Sequence, residues 1–207
     1  METKQHWDEV YAHKMEDAVS WFLPRFETSL ALIAAAGIRK DHAIVDVGGG
    51  ASRLVDNLVD EGYTDLTVLD VASAALEKSR MRLGSQAERV HWLATDITRW
   101  QPERRYRLWH DRAAFHFLME AADRSAYRRA LESGLAPGGT LILASFALDG
   151  PDRCSGLPVQ RYSPETLAAE LGPTFKLVDR RGEEHITPAG KLQRFQYSVF
   201  VHAPAGR

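Results

Sequence analysis

Cysteine is almost absent. Cys154 is the single one among 207 residues, which excludes an intramolecular disulfide and any multi-cysteine metal cage. Excess charge is missing as well. With 26 Lys and Arg against 28 Asp and Glu, the formal net charge is −2, so the bulk positive field of a nucleic-acid binder is not there. Long apolar runs are also lacking: the best, residues 30–38, is broken by Gly37, whereas a bilayer span takes about 20 residues. The first 17 residues carry no apolar segment of the export type. The expectation is therefore a cytoplasmic chain without nucleic-acid or membrane partners, its oligomeric state left open. His42, His91, His185 and His202 have no metal-ligand spacing, and no metal is expected. What remains is a globular composition, 44% hydrophobic and 26% charged, of a length suited to one domain spanning 1–207.

The pattern along that domain is repetitive in kind. Residues 24–36 read as a helix, with Pro24 at its start and Gly37 just past its end. Residues 43–47 (AIVDV) are a short apolar run ending in three glycines, as a buried parallel strand does. A helix over 52–61 follows. The unit recurs with a strand at 66–70, a helix at 73–83, a third strand at 90–93 and a fourth at 106–110. A helical stretch over 112–135 stops at Pro137-Gly138-Gly139, and 140–146 is a fifth strand. Strands alternating with helices make βαβ units, hence an α/β, doubly wound sheet with helices on both faces. The last third reads as a loop over 147–160, a helix opened by Ser163-Pro164, and two strands, 175–186 and 192–202, about a Thr187-to-Gly190 turn.

Asp46-Val47-Gly48-Gly49-Gly50 stands at a strand's C-terminal edge, where open α/β sheets bind ligands. Asp70 ends the second strand twenty residues after Gly50, the place of a carboxylate that accepts ribose hydroxyls. Asp96 follows the third. Three acids at three successive strand ends suit an adenosine ligand. A dinucleotide would need a third glycine at position 53, for close helix packing and for pyrophosphate at the helix N-terminus. Arg53 stands there, and Asp46 would face the phosphates. A cationic, phosphate-free adenosine ligand matches better.

Those residues carry a resemblance. The segment 44–52 (IVDVGGGAS), Asp70, 94–97 (ATDI) and 135–140 (LAPGGT) are similar to the successive motifs of class I S-adenosylmethionine-dependent methyltransferases, a Rossmann-like fold. The terminal hairpin resembles that family's strands six and seven, the last antiparallel. The resemblance covers residues 43–202. It implies S-adenosyl-L-methionine as cofactor and S-adenosyl-L-homocysteine as product. It further implies Asp46, Gly48, Gly49, Gly50 and Ser52 around the methionine part, Asp70 on the ribose, and Val71, Asp96 and Ile97 around the adenine.

Methyl transfer is an in-line displacement, so the protein's task is to align the nucleophile and, where it arrives protonated, to take its proton. The end of strand four, 108–117, holds His110, Asp111 and His116, the richest acid/base cluster in the chain. These are the candidate catalytic residues, with His110 also near the cofactor. The alternatives are a packing role for His116 and a surface pair at Asp111-Arg112. The stretch 111–118 (DRAAFHFL) is similar to DKGTxDAL of the lysine-methylating branch, but with Arg112, Ala113 and His116 at the positions of Lys, Gly and Asp. A carboxylate suited to a cationic lysine is thus replaced by imidazole.

The N-terminal residues His6-Trp7-Asp8-Glu9-Val10-Tyr11 and Val19-Ser20-Trp21-Phe22 resemble the aromatic lids of small-molecule methyltransferases acting on thiols and chalcogen oxyanions. Tyr11 would then bond the methionine carboxylate and Trp21 stack near the sulfonium; simple docking of the first helix is the alternative. Residues 1–41 would form the lid, 42–146 the cofactor core, and 147–207 the substrate loop, helix and hairpin. On that loop Arg153 or Arg161 would hold an anionic acceptor and Cys154 contact a soft one. The arginines at 99, 104, 105 and 107 read as a solvated face. The expected activity is methyl transfer to a small molecule with a soft nucleophile. Protein-lysine methylation and a non-catalytic cofactor-binding module are the competing readings; nicotinamide-dependent reduction would require NAD to bind despite Arg53.

Overall fold

A computed structural model describes residues 2–13 and 15–203; residues 1, 14 and 204–207 of the expected single domain lie outside the described residues. Seven strands form one sheet: β1 (Ile44–Val47), β2 (Leu66–Asp70), β3 (Val90–Ala94), β4 (Tyr106–Arg112), β5 (Leu135–Phe146), β6 (Phe175–Ile186) and β7 (Leu192–His202). Their order is β3-β2-β1-β4-β5-β7-β6. The first five run parallel, and β7 is antiparallel to both β5 and β6. The antiparallel strand expected at the chain's end is therefore present, inserted one place inside the sheet edge. The chain reverses direction across the sheet between β1 and β4, the topological switch point at which open α/β sheets form their crevice.

Both faces are covered. On one, α2 (Glu27–Ala35), α3 (Leu54–Asp60) and α4 (Ser73–Leu83) bury Ile33, Leu54, Leu58 and Leu76 against Ile44, Val68 and Leu108. On the other, α5 (Ala121–Gly134) and α6 (Pro164–Leu171) bury Tyr127, Leu131, Leu167 and Leu171 against Val45, Trp109 and Leu141. Strands buried on both faces need continuous apolar runs, which is why β1, β2 and β5 were legible as such. The N-terminal helix α1 (Glu2–His13) packs Tyr11 with Ala72 and Ala75 beside α4. Among the described residues no helix is long and apolar enough to cross a membrane.

Several boundaries differ from expectation. The helix expected from Pro24 begins at Glu27, because the Phe26 N–H is taken by the Asn57 side-chain carbonyl at 3.1 Å and Pro24 stays outside. The stretch 112–135 is not one helix: β4 runs on to Arg112, a 3-10 turn spans Phe115–Phe117, and α5 starts only at Ala121. β5 begins at Leu135 rather than 140. Its pairing with β4 jumps from Tyr106–Leu135 to Leu108–Thr140, and the intervening Pro-Gly-Gly is accommodated at that shift. Within the loop 147–160, Arg153–Cys154 pairs with Leu157–Pro158.

α6 has the start its sequence predicts. Ser163 accepts the Thr166 N–H at 3.2 Å, and the Thr166 hydroxyl accepts the Ser163 N–H at 2.9 Å, a reciprocal cap. Ser163→Ala should cost about 1 kcal/mol of stability, seen as a lower urea midpoint with an unchanged slope; an unchanged midpoint would show the cap to be dispensable.

Candidate functional site

Side chains alternate along a strand, so consecutive residues face opposite sides of the sheet. At the end of β4 this separates three polar neighbours. His110 lies beside Asp46 in the β1–β4 register, and its Nδ1 is 2.7 Å from the Asp46 carboxylate. Its Nε2 is 2.9 Å from the Ser29 hydroxyl on α2. Asp111 points the other way. It accepts the Ala114 N–H at 2.8 Å, the Phe115 N–H at 3.1 Å and the Tyr127 hydroxyl at 2.8 Å, while Trp109 donates to that hydroxyl at 2.9 Å. Arg112 returns to the first face and reaches across to Tyr197 on β7 and Glu183 on β6.

Asp111 thus holds the turn that follows β4. That turn is strained: Ala113 has φ of +70°, a left-handed conformation costing about 1–2 kcal/mol for a residue with a Cβ. The glycine of the lysine-methylating branch would stand here without strain. Gly48, at the end of β1, also has φ of +70°, and a Cβ there would meet the Ala114 Cβ at 2.6 Å. The glycine turn and the post-β4 turn are therefore in contact. A second close approach binds the glycine turn to β2, since a Cβ on Gly50 would meet the Asp70 carboxylate at 2.6 Å. From α4, Ser79 donates to the Gly50 carbonyl at 2.7 Å and Arg82 to the Ser52 carbonyl at 2.8 Å.

Above these strand ends lies a cavity of about 340 Å³. One part is lined by Gly48, Asp70, Val71, Thr95, Asp96 and Ile97, the other by Trp7, Tyr11, Trp21, Arg112, Phe117, Cys154 and Phe195. A smaller recess beside it is lined by Asp46, Gly48, Gly49, Ser52 and His110, with Tyr11, Trp21 and Arg112 shared between the two. Asp70 also accepts the Ala72 N–H at 2.8 Å, and Asp96 caps its own turn by accepting from the Thr98 N–H and hydroxyl. The N-terminal residues form an aromatic wall: Trp7 stands 5.1 Å from Phe117 and 5.7 Å from Trp21, ring centre to ring centre. That wall is tied down on both sides. Glu16 pairs with Arg53 at 2.8 Å and Arg82 at 2.7 Å, and the Ser20 carbonyl faces His185 Nε2 at 2.7 Å. Arg53, which stands where a dinucleotide site needs glycine, serves this clamp.

Of the expected cofactor residues all but Gly50 line one of the two spaces, and Gly50 lies against Asp70. Four expected catalytic or substrate residues lie elsewhere. Asp111 is fully buried on the opposite face and committed to the turn. His116 is also fully buried. It packs on Phe117 and Phe146 with ring centres 4.5 and 5.0 Å away, outside the lining of either space. Arg153 is exposed and donates to the Gly156 carbonyl, and Arg161 donates to the Gly150 carbonyl at 3.0 Å. Both arginines hold their own loop rather than facing the cavity. Two residues run the other way. Arg99, expected on a solvated face, lines the cavity. Arg112, for which a surface pair with Asp111 was the alternative reading, is 95% buried at the side chain. The signal for Arg112 was the strand's own alternation, two residues further than the strand was drawn.

Burial pushes the Asp70 carboxyl up to about 7, aided by the nearby Asp46 and Asp8 charges and opposed by the Ala72 N–H. Burial likewise raises Asp111 to about 6 against its hydrogen-bond donors. It depresses His116 to about 3, with Arg112 adding to the shift, so that ring is neutral. Tyr11 is raised far above a phenol's ordinary range, first by burial and then by Asp70. For Asp70 the unfolded carboxyl ionises near 3.8 while the folded one keeps its proton to about 7. The unliganded protein therefore loses stability from this group as pH rises between those values. Asp70→Asn should become progressively more stable than the parent from pH 4 to pH 7 in urea titrations. A pH-independent difference would contradict the assignment.

Residues 44–139 match the family model described as a methyltransferase domain. Curated relatives are matched over part of their own length. Nodulation protein S of Bradyrhizobium diazoefficiens is 34% identical over 80 residues, 39% of this chain and 38% of that protein. The mouse eEF1A lysine and N-terminal methyltransferase is 23% identical over 149 residues, 69% of this chain and 21% of that protein. Among solved structures, the N-methyltransferase NodS of Bradyrhizobium japonicum with S-adenosyl-L-homocysteine superposes with a TM-score of 0.71 at 18% identity, over 98% of this chain and 99% of that one. The Burkholderia thailandensis 1,6-didemethyltoxoflavin-N1-methyltransferase, with its substrate and S-adenosylhomocysteine bound, gives 0.68 at 20% identity, over 98% and 84%. Residues 44–139 thus carry a methyltransferase domain, and the sheet around it is the Rossmann-like fold of the methyltransferase structures on which the chain superposes.

Proposed function

We propose that this chain transfers the methyl group of S-adenosyl-L-methionine to a small molecule whose sulfur or nitrogen carries the attacking lone pair. The observation that carries this reading is the single cavity shared between the strand-end acids and the aromatic N-terminal wall. The residues suit the cofactor on structural grounds. Asp70 and Asp96 present carboxylates at neighbouring strand ends, where ribose hydroxyls and an exocyclic amine would donate to them. Gly50 leaves open the space a Cβ would take from Asp70. Val71 and Ile97 line the same part of the cavity and form an apolar slot for the adenine. Asp46, Gly48, Gly49 and Ser52, with Tyr11 and Trp21, line the adjoining recess, the place for the methionine part. When bound, S-adenosyl-L-methionine supplies an electrophilic methyl group on a sulfonium.

The rest of the chemistry is positioning and exclusion of water. Trp7, Tyr11 and Trp21 cover the cavity as a lid, while α2, within the 1–41 segment expected to form it, packs on the sheet with the core of 42–146. The segment after β5 contributes Cys154 and Phe195 to the acceptor end. Water excluded from such a site strengthens every charge interaction inside it. His110 holds the Asp46 carboxylate through Nδ1 and is itself fixed by Ser29, which makes it a positioning residue. With Asp111 and His116 engaged elsewhere, the acceptor enters with its lone pair already free. A volume near 340 Å³ is at the small end of ligand sites, which favours a small acceptor. The N-methyltransferase relatives add nitrogen to the sulfur chemistry that the lid resemblance suggests.

Protein-lysine methylation is favoured by the mouse relative but opposed by Arg112, a buried guanidinium at the acceptor end that would repel an ammonium. Release of S-adenosyl-L-homocysteine, assayed against thiols, amines, carboxylates and oxyanions, tests the reading. One small acceptor should turn over, whereas label entering a sharp protein band would transfer the assignment to lysine. Cofactor binding without turnover on any acceptor would favour a binding module. Asp70→Ala should weaken S-adenosyl-L-homocysteine binding by roughly 10- to 100-fold, as loss of a charged bidentate contact does. His116→Phe should keep turnover with an unchanged pH profile, and a collapse in rate would restore the histidine to the mechanism.

A further inference from the structure

The charge arrangement at the acceptor end has a direction of its own. Arg112 is almost completely buried, yet it lines both the main cavity and the adjoining recess. Its guanidinium stands 4.1 Å over the Phe195 ring and 5.4 Å over Phe26, which fixes its plane. Among the described residues three acceptors engage it. Tyr197 takes the Nε–H at 3.0 Å, Glu183 takes one Nη2–H at 2.9 Å, and the Trp21 carbonyl takes one Nη1–H at 3.4 Å. A guanidinium has five N–H donors, so one on each terminal nitrogen is left unspent. Each terminal nitrogen therefore keeps a donor for a ligand, and a carboxylate is the anion whose two oxygens a guanidinium can engage together.

The surroundings do not compete for those donors. Glu183 is the carboxylate paired with it. His116 and His185 are both held toward the neutral form, by burial first and by Arg112 itself. Of the other acids lining the two spaces, Asp46 is held by His110, Asp70 and Asp96 belong to β2 and the β3 end, across β1 from Arg112, and Asp123 lies on α5; among the described residues none of them bonds to Arg112. The near wall is apolar or aromatic: Trp21, Phe117, Phe195 and the buried Cys154.

We propose that Arg112 is the specificity-determining residue for the acceptor, and that the acceptor is a small molecule carrying a carboxylate beside an apolar or aromatic body. The inference rests on the methyltransferase reading of the cavity and adds the substrate class. The carboxylate docks on the unspent donors and leaves the nucleophile to face the lid side. A protonated amine at the same place meets a desolvated cation and is rejected.

The test uses the full chain saturated with S-adenosyl-L-homocysteine and titrated with benzoate, benzamide and benzylamine, read by ligand-detected NMR. Benzoate should bind about tenfold or more tightly than benzamide, the advantage of charge-assisted hydrogen bonds, and benzylamine should be weakest. Arg112→Gln should abolish the benzoate advantage, and Arg112→Lys should retain part of it. Glu183→Gln, which removes the paired carboxylate, should tighten benzoate binding and provides the test should Arg112→Gln fail to fold. The proposal is overturned by equal binding of the three probes, by a benzoate preference that survives Arg112→Gln, or by an unchanged or weaker benzoate affinity in Glu183→Gln. It is also overturned if Arg112→Gln weakens S-adenosyl-L-homocysteine by as much as it weakens benzoate, since the guanidinium would then serve the cofactor's own carboxylate. Failure of S-adenosyl-L-homocysteine to bind the parent protein would instead contradict the cofactor reading.

Discussion

The pleat of one strand end organises this site. His110, Asp111 and Arg112 are consecutive in β4, and alternation sends the first and third to the α2 side of the sheet and the second to the α5 side. Each then meets a different task. His110 orders the Asp46 carboxylate at the end of β1. Asp111 gathers two backbone N–H groups and a tyrosine hydroxyl and so holds the post-β4 turn against the glycine turn. Arg112 spans β5 to reach β7 and β6. Shifting the strand by one residue would exchange these faces and bury an unpaired charge on the wrong side, a change of several kcal/mol per ion.

From that end the cavity is built outward. The left-handed Ala113 and the bare α-carbon of Gly48 let the two turns touch, which closes the floor between β1 and β4. The N-terminal segment closes the roof, and its fastenings come from every part of the chain: Arg53 and Arg82 from the helices after β1 and β2, Arg112 from β4, His185 from β6. The N-terminal aromatic wall is therefore also ion-paired and hydrogen-bonded to the rest of the chain. The Glu16 pairs are partly exposed and the fastenings to Arg112 and His185 are buried, while Trp7, Tyr11 and Trp21 line the cavity.

Much of this was legible in the residues. Apolar runs ending in glycine or aspartate located β1 and β2, and the Ser163-Pro164 start and the Thr187-to-Gly190 turn located α6 and the hairpin, because those signals are local. The strand-end acids were legible for the same reason. What the residues concealed was direction. His116 and Asp111 looked like acid/base candidates because they stand near the right strand end, but burial and backbone donors engage them on other faces. Arg112 looked like a surface residue because its partners, Tyr197 and Glu183, lie 85 and 71 residues away in sequence. Arg153 and Arg161, in the stretch after β5, were placed over the active end by topology, yet the Gly156 and Gly150 carbonyls capture them first.

The central claim is that the carboxylates at the ends of β2 and β3 receive an adenosine-bearing cofactor beneath the aromatic wall. A crystal structure of the chain with S-adenosyl-L-homocysteine tests it most directly. The account predicts both ribose hydroxyls within hydrogen-bonding distance of Asp70, the adenine between Val71 and Ile97, and the sulfur facing the Trp21 and Arg112 side of the cavity. A nucleoside bound away from Asp70, or one leaving that carboxylate without a ribose contact, would contradict it.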